Sequence, residues 1–185
     1  QPSEITVSAV VSNNLCFNDS LGSILPSHSG GTGTINYSWS SPSGYTSSND
    51  TINLLHSDTF NLSLIDSNSC LLDTFFVINS ATKIDVNLTV VDANCGLLDG
   101  SAQVNPTGGA GLGTYSFIWK DVSNNIISNT NSVTSVGAGN YTVSIIDSNN
   151  CSSDTLFTIS NTSGPIISVN SVTNTTCFEG SDGEI

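Results

Sequence analysis

The chain reads as all-β, a tandem of antiparallel two-sheet sandwiches set end to end, and three observations point there. Its landmarks repeat: Cys16, Cys95 and Cys177 follow one another at spacings of 79 and 82 residues, and Cys70 and Cys151 stand 81 apart. Self-similarity at a fixed period marks an array of equal modules. Short segments between the landmarks alternate apolar and polar residues, the period of half-buried strands, and clusters of Gly, Asn, Asp and Ser separate them. No stretch carries a convincing helical stripe.

A chain of 185 residues with a repeat of about 80 holds two whole domains, 1–82 and 83–164, and the opening of a third, 165–185. Ile5, Ile84 and Ile166 each open a unit 11 residues before a cysteine. In the second unit the alternation predicts strands near Ile84 to Val90, Ser101 to Val104, Tyr115 to Lys120, Ile126 to Ile127, Ser132 to Val136, Asn140 to Asp147 and Thr155 to Ile159. The first unit matches it. Tyr37-Ser-Trp39 parallels Phe117-Ile-Trp119, each after a glycine-rich stretch at Gly30-Gly31-Thr32-Gly33 or Gly108-Gly109-Ala110-Gly111. The segment from Phe60 to Cys70 aligns without a gap with that from Tyr141 to Cys151, and Asp73-Thr74 and Asp154-Thr155 follow. Seven short strands in about 80 residues suit a two-sheet sandwich, and a tryptophan strand between two cysteines makes it immunoglobulin-like. Trp39 and Trp119, with Tyr37, Phe60, Leu62, Phe117, Tyr141 and Val143, are the expected core anchors.

Domains this small bury only about 60–65% of their unfolded surface, so a covalent brace is welcome. The expected pairs are Cys16 with Cys70 and Cys95 with Cys151, joining the loop after the first strand to the loop before the last at one pole of each sandwich. Each would close roughly 55 residues and stabilise by about 4 kcal/mol in the loop-entropy account. Cys177 would take a partner outside this segment. Pairing Cys70 with Cys95 is disfavoured because two strands intervene, spanning roughly 45 Å, against about 4.4–6.8 Å between bridged Cα atoms. Regular disulfides place the protein in an oxidising compartment, outside the cytoplasm.

Net charge is −13, from 15 acidic residues and only two basic ones, Lys83 and Lys120. Phosphate binding needs clustered Lys or Arg, so nucleic acid is excluded as a partner and an anionic membrane surface is disfavoured. No apolar run reaches the 18–20 residues of a membrane span, so no membrane insertion is expected. With neither signal peptide nor initiator methionine and an incomplete third unit, the chain reads as part of something longer. Strand-like residues stop at Asn79 and resume at Ile84, and stop at Ser160 and resume at Ile166 after the stiffening Pro165. Such short junctions predict a rod.

Three stretches of the second unit resemble the SprB-type repeats of very large Bacteroidetes surface proteins, which include gliding-motility adhesins. They are Cys95-Gly-Leu-Leu-Asp-Gly-Ser-Ala, the Gly108-Gly109 pair followed by Tyr115-Ser-Phe-Ile-Trp119, and the run from Gly139 to Cys151. The first unit resembles the family more loosely, with Cys16-Phe-Asn-Asp-Ser-Leu-Gly at its start and His56-Ser-Asp where a small-residue turn is usual. The resemblance implies an Ig-like repeat, export by the type IX system and display at the cell surface, attached to the outer membrane. PKD-type domains share the unit's ending, so the fold is also PKD-like.

Among chemical groups, Asp19, Asp66 and Asp73 recur as Asp99, Asp147 and Asp154 near the cysteines. Clustered at a pole, such oxygens could hold calcium and stiffen the rod; Asp is equally a default turn former. No other cofactor is expected. His28 and His56 have no counterparts in the second unit and read as ordinary loop residues, and adjacent His56, Ser57 and Asp58 cannot converge as a triad. Without metal-ligand spacing or a phosphate-cradling glycine loop, the segment is read as non-catalytic. Ser20, Thr51 and Thr155 each follow Asp and precede an aliphatic residue, resembling the O-glycosylation signal of Bacteroidetes secreted proteins.

The function expected is therefore that of a spacer in a long adhesin filament. Its partners would be the neighbouring repeats, the secretion and anchoring machinery and, through other regions, extracellular polysaccharide or another substratum. The competing expectations are a carbohydrate- or protein-binding module using an exposed Tyr45 at the tip of the loop from Pro42, or an accessory region of a secreted hydrolase.

Overall fold

The structure, a computed structural model, describes residues 3–110, 113–164, 168–169 and 171–172. Pro165, Ile166 and Cys177 lie outside the described residues. The first unit consists of β1 (Thr6–Ser12), β2 (Gly22–Ser29), β3 (Asn36–Ser40), β4 (Thr46–Ser47), β5 (Ile52–Leu55), β6 (Asp58–Ile65) and β7 (Leu71–Ile78). The second consists of β8 (Thr82–Asp85), β9 (Leu88–Val91), β10 (Ala93–Asn94), β11 (Gly100–Val104), β12 (Thr107–Gly109), β13 (Tyr115–Asp121), β14 (Ile126–Ser128), β15 (Ser132–Val136), β16 (Gly139–Asp147), β17 (Ser152–Ile159) and β18 (Asn161–Thr162).

Alternation along each strand sorts the two units into the same pair of sheets. In the first, β1-β2-β5 faces β4-β3-β6-β7; in the second, β9-β11-β15 faces β14-β13-β16-β17. A three-strand and a four-strand antiparallel sheet packed over one core is the all-β, Ig-like sandwich that the periodicity predicts. The registers repeat as well. Trp39 stands opposite Leu62 and Trp119 opposite Val143. Both indoles are fully buried, and each donates its Nε1–H to a backbone carbonyl, Asn49 at 2.9 Å and Thr130 at 2.7 Å, so the one polar atom of the largest core side chain is satisfied. Phe60, Leu62 and Val143 are buried with them; Tyr37, Phe117 and Tyr141 pack half-buried at the edge of the cores.

Two close approaches explain glycines that the two units share. Gly22 and Gly100 begin β2 and β11 where a Cβ would stand 2.7 Å from Ile78 Cγ2 or 2.8 Å from Ile159 Cγ2. Gly30 and Gly108 adopt a φ of 79° and would press a Cβ to 1.9 and 2.0 Å from the carbonyl oxygens of Glu4 and Lys83. Only glycine fits either place.

The first strand of the second unit departs from expectation. It breaks at Asn87, whose φ is 46°, and Asn105 N donates to Asn87 O at 3.2 Å while Asn87 Nδ2 donates to Asn105 O at 3.1 Å across the break. The chain then leaves one sheet for the other, and β10 pairs with β18 in parallel. In the first unit Asn14 N donates to Asn79 O at 2.9 Å at the corresponding place, as Ala93 N does to Ser160 O at 3.0 Å. First and last strands of a unit therefore run in the same direction.

Candidate functional site

That shared direction decides where the cysteines lie. The loop following the first strand sits at the far pole of its sandwich, where the last strand ends; the loop preceding the last strand sits at the near pole, where it begins. A strand of eight residues separates them, roughly 26 Å at about 3.3 Å per residue. Cys16 and Cys70 therefore cannot meet, nor can Cys95 and Cys151. The disulfide present is Cys16–Cys151, with Cα atoms 5.5 Å apart and a sequence separation of 135. It joins the far pole of the first unit to the near pole of the second. Cys70 and Cys95 are both free and exposed among the described residues. The expected pairing within each unit was wrong because it put both loops at one pole.

Around the bridge, Cys16, Phe17 and Asp19 face Lys83, Ile84 and Asn150 across a cleft. One of the chain's two cations thus stands at the junction beside a carboxylate-bearing loop. Asn149 Nδ2 donates to Leu15 O at 3.4 Å, a second tie between the units. Cys151 is 8% exposed.

The turn that presents Cys151 is built on a buried carboxylate. Asp147 accepts the backbone N–H groups of Ala110 at 2.7 Å, Asn149 at 2.9 Å and Cys151 at 3.0 Å, and its own N–H donates to Cys151 O at 3.0 Å. Asp66 does the same with Thr32 at 2.9 Å and with Asn68 and Cys70 at 2.8 Å. Burial pushes the Asp147 pKa up, but the three N–H donors outweigh it and hold the carboxyl below its ordinary value. For Asp66 the Cys70 N–H is the largest influence, and the pKa is likewise lowered. Both aspartates clamp the turn before the last strand to the glycine-rich loop between the sheets.

The other acidic candidates scatter. Asp19 accepts from Cys16 N at 3.1 Å and Asp99 from Asn94 N at 2.8 Å, both at the far pole of their units. Asp73, which accepts from Ser63 Oγ, and Asp154, opposite Ser144, lie exposed on the last strands. The six carboxylates are thus not gathered at one pole. No group of three His, Cys, Asp or Glu side chains among the described residues is arranged to hold a metal.

His28 is a strand residue of β2 rather than a loop residue, its Nδ1 2.6 Å from Tyr37 Oη. His56 Nδ1 lies 3.0 Å from Asp19 O. Tyr45 is not an exposed tip: it folds back half-buried onto Phe60, edge to face with centroids 5.5 Å apart. Ser20 and Thr51 are half-buried in the segments before β2 and β5, and Thr155 lies half-buried in mid-strand on β17. Sequence reasoning missed the link between units, although the parallel course of first and last strands in an Ig-like topology would have revealed it.

The sequence pattern of the SprB repeat matches residues 8–44 and 87–124. Each match runs from the first strand to the turn after the tryptophan strand, and so includes Cys16 or Cys95 but neither Cys70 nor Cys151. No curated protein matches the chain. Among solved structures, the N-terminal eight Ig domains of Down syndrome cell adhesion molecule are 14% identical, with 85% of this chain and 25% of that one covered and a TM-score of 0.43. The two Ig domains of DIP-gamma are 10% identical over 86% of this chain and 98% of that one, at 0.42. A C-terminal 282-residue fragment of intimin, solved with the intimin-binding domain of its translocated receptor, is 14% identical over 85% of this chain and 64% of that one, also at 0.42. The chain spans a quarter of the first of these and less than two thirds of the third. SprB repeats belong to cell-surface proteins, and no helix among the described residues is long and apolar enough to cross a membrane. With a match in each unit, the chain is similar to the SprB repeat at two segments, each lying in an Ig-like sandwich.

Proposed function

We propose that this chain is a non-catalytic stalk segment of a long cell-surface adhesin filament of the gliding-motility type. Exported by the type IX system, it would hold a binding region away from the outer membrane. The observation that carries this reading is the Cys16–Cys151 bond, which fastens one sandwich to the next. Load applied along the chain enters at Cys16, crosses the sulfur bridge and leaves at Cys151, so the residues between are bypassed. Residues 17–150, which hold both packed tryptophans, then stand outside the path of force, while β1 and β17 remain in it. The acidic, hydroxyl-rich surface keeps such an array soluble.

Single-molecule extension from the two termini tests it. The oxidised chain should lengthen only by release of the segments outside the bridge, β1 and β17 among them, with residues 17–150 adding nothing below the force that breaks covalent bonds. After reduction, the contour length should grow by roughly 450–490 Å, from a sequence separation of 135 at about 3.3–3.6 Å per residue step. Equal traces with and without reductant would remove the load-bearing role.

A further inference from the structure

The two units present equivalent cysteines, yet only half of them are joined. Cys95 occupies in the second unit the place of Cys16 in the first, at the far pole beyond the tie between first and last strands. Cys70 occupies in the first unit the place of Cys151 in the second, on the same carboxylate-clamped turn, with the same pair of backbone donors on Asp66 as Cys151 and Asn149 supply to Asp147. One pair of places is bonded across the junction. The remaining two, Cys70 and Cys95, face outward at the opposite poles of the pair, exposed. Each has apolar neighbours open to solvent, Leu71 beside Cys70 and Leu97 and Leu98 beyond Cys95.

We propose that Cys70 and Cys95 are the two open halves of the same cross-repeat disulfide. Cys95 is built to bond the cysteine before the last strand of a following SprB repeat, and Cys70 the cysteine after the first strand of a preceding one. The loops closed by successive bonds then overlap, so that every repeat lies inside a neighbour's bridge and no repeat closes on itself. The occupant of each pole is the complementary pole of another copy of this repeat pair, since the chain carries both halves. Formation of the bond is a thiol–disulfide exchange: the two thiols give up two protons and two electrons, the new S–S bond forms, and a small-molecule disulfide is cleaved to two thiols. The proposal concerns connectivity and stands apart from the adhesin reading, which the mapping experiment below does not touch.

The test uses the full chain carrying Cys177→Ser, held at high concentration in a buffer of oxidised and reduced glutathione. Non-reducing electrophoresis and peptide mapping read the products. The expected result is a ladder of covalent multimers joined by Cys70 to Cys95 between copies, with Cys16–Cys151 intact. Cys70→Ser or Cys95→Ser should each abolish the ladder, and a mixture of the two variants should stop at a dimer. Tryptophan fluorescence confirms that the variants are folded. Links of Cys70 to Cys70 or Cys95 to Cys95, or both thiols left without a protein partner, would overturn the proposal. So would a Cys95–Cys177 bond in the unsubstituted chain.

Discussion

The turns before β7 and β17 have almost the same sequence, Asp66-Ser-Asn-Ser-Cys70 and Asp147-Ser-Asn-Asn-Cys151, and the same carboxylate clamp, yet their cysteines differ in fate. Cys70 is exposed and free, whereas Cys151 is 8% exposed and bonded. Local sequence sets the conformation of both turns identically. What distinguishes them is the neighbour: the far pole of the first unit lies against the second turn. A repeat's chemistry is therefore completed by the next repeat.

The sharpest way to break that comparison is to remove each sulfur in turn. Cys16→Ser or Cys151→Ser releases a loop of 135 residues, for which the loop-entropy account gives about 5 kcal/mol. Cys70→Ser and Cys95→Ser should leave the isolated chain within about 0.5 kcal/mol, as exposed substitutions away from any contact do. Denaturant unfolding of the four variants measures the contrast. Equal losses at all four positions would mean that the bond seen here is not the one that stabilises the chain in solution.

Much of this molecule was legible in its residues. Alternation placed β11 and β13 to β17 within a residue or three, because period-two burial over a tryptophan core leaves one register open, and passed over the short β12 and β18. The break at Asn87 was not legible, since an apolar alternation continues straight through it from Ile84 to Val90 and nothing local announces a change of sheet. The disulfide partners were misread for a related reason. Cysteine spacing states which loops hold sulfur, but the direction of first and last strands, a long-range property, states which loops are near. The hubs at Asp66 and Asp147 were seen as recurring acids, and their partners, the backbone N–H groups beyond Gly31 and Gly109, leave no trace in side-chain type.

Acid compares the two clamped turns next. Asp66 and Asp147 both have folded-state pKa values held below the ordinary aspartate value of about 3.9. Their contribution is present above that value and is lost as pH falls through the folded pKa. Thermal midpoints should hold steady from neutrality to about pH 4 and fall below it. In Asp147→Asn the midpoint should be lower at neutral pH and its fall below about pH 4 shallower. Asp66→Asn should behave alike despite its free cysteine, because three backbone N–H groups hold each carboxylate and the Cys70 thiol is the smallest of the influences on Asp66. An unchanged acid limb in both variants would show that other carboxylates govern it.

A smaller difference lies where the strand of the clamped turn begins. Tyr141 donates its hydroxyl to Gly137 O at 2.9 Å, the corner bond of Ig-like sandwiches, while the first unit has Phe60 there, packed on Tyr45 instead. Tyr141→Phe should cost about 1 kcal/mol, the net worth of one hydrogen bond, with the fold unchanged. A cost beyond about 2 kcal/mol would mean that the ring's packing on Phe157, stacked at 5.8 Å, is disturbed as well.

The smallest effect expected concerns the residue just ahead of each terminal cysteine. Ser69 has a φ of 66° and Asn150 a φ of 63°, so both turns need a left-handed residue at this point. Asparagine enters that region more readily than serine, because its short amide can bond to the local backbone. Copying the second turn into the first, Ser69→Asn should therefore stabilise the chain by a few tenths of a kcal/mol, and Asn150→Ser should destabilise it by a similar amount. Differential scanning calorimetry of the two single variants and the double exchange reads both signs. If the turns are truly interchangeable in conformation, the two effects cancel in the double variant; a residual would locate an influence of the Cys16–Cys151 bond on the geometry of the second turn.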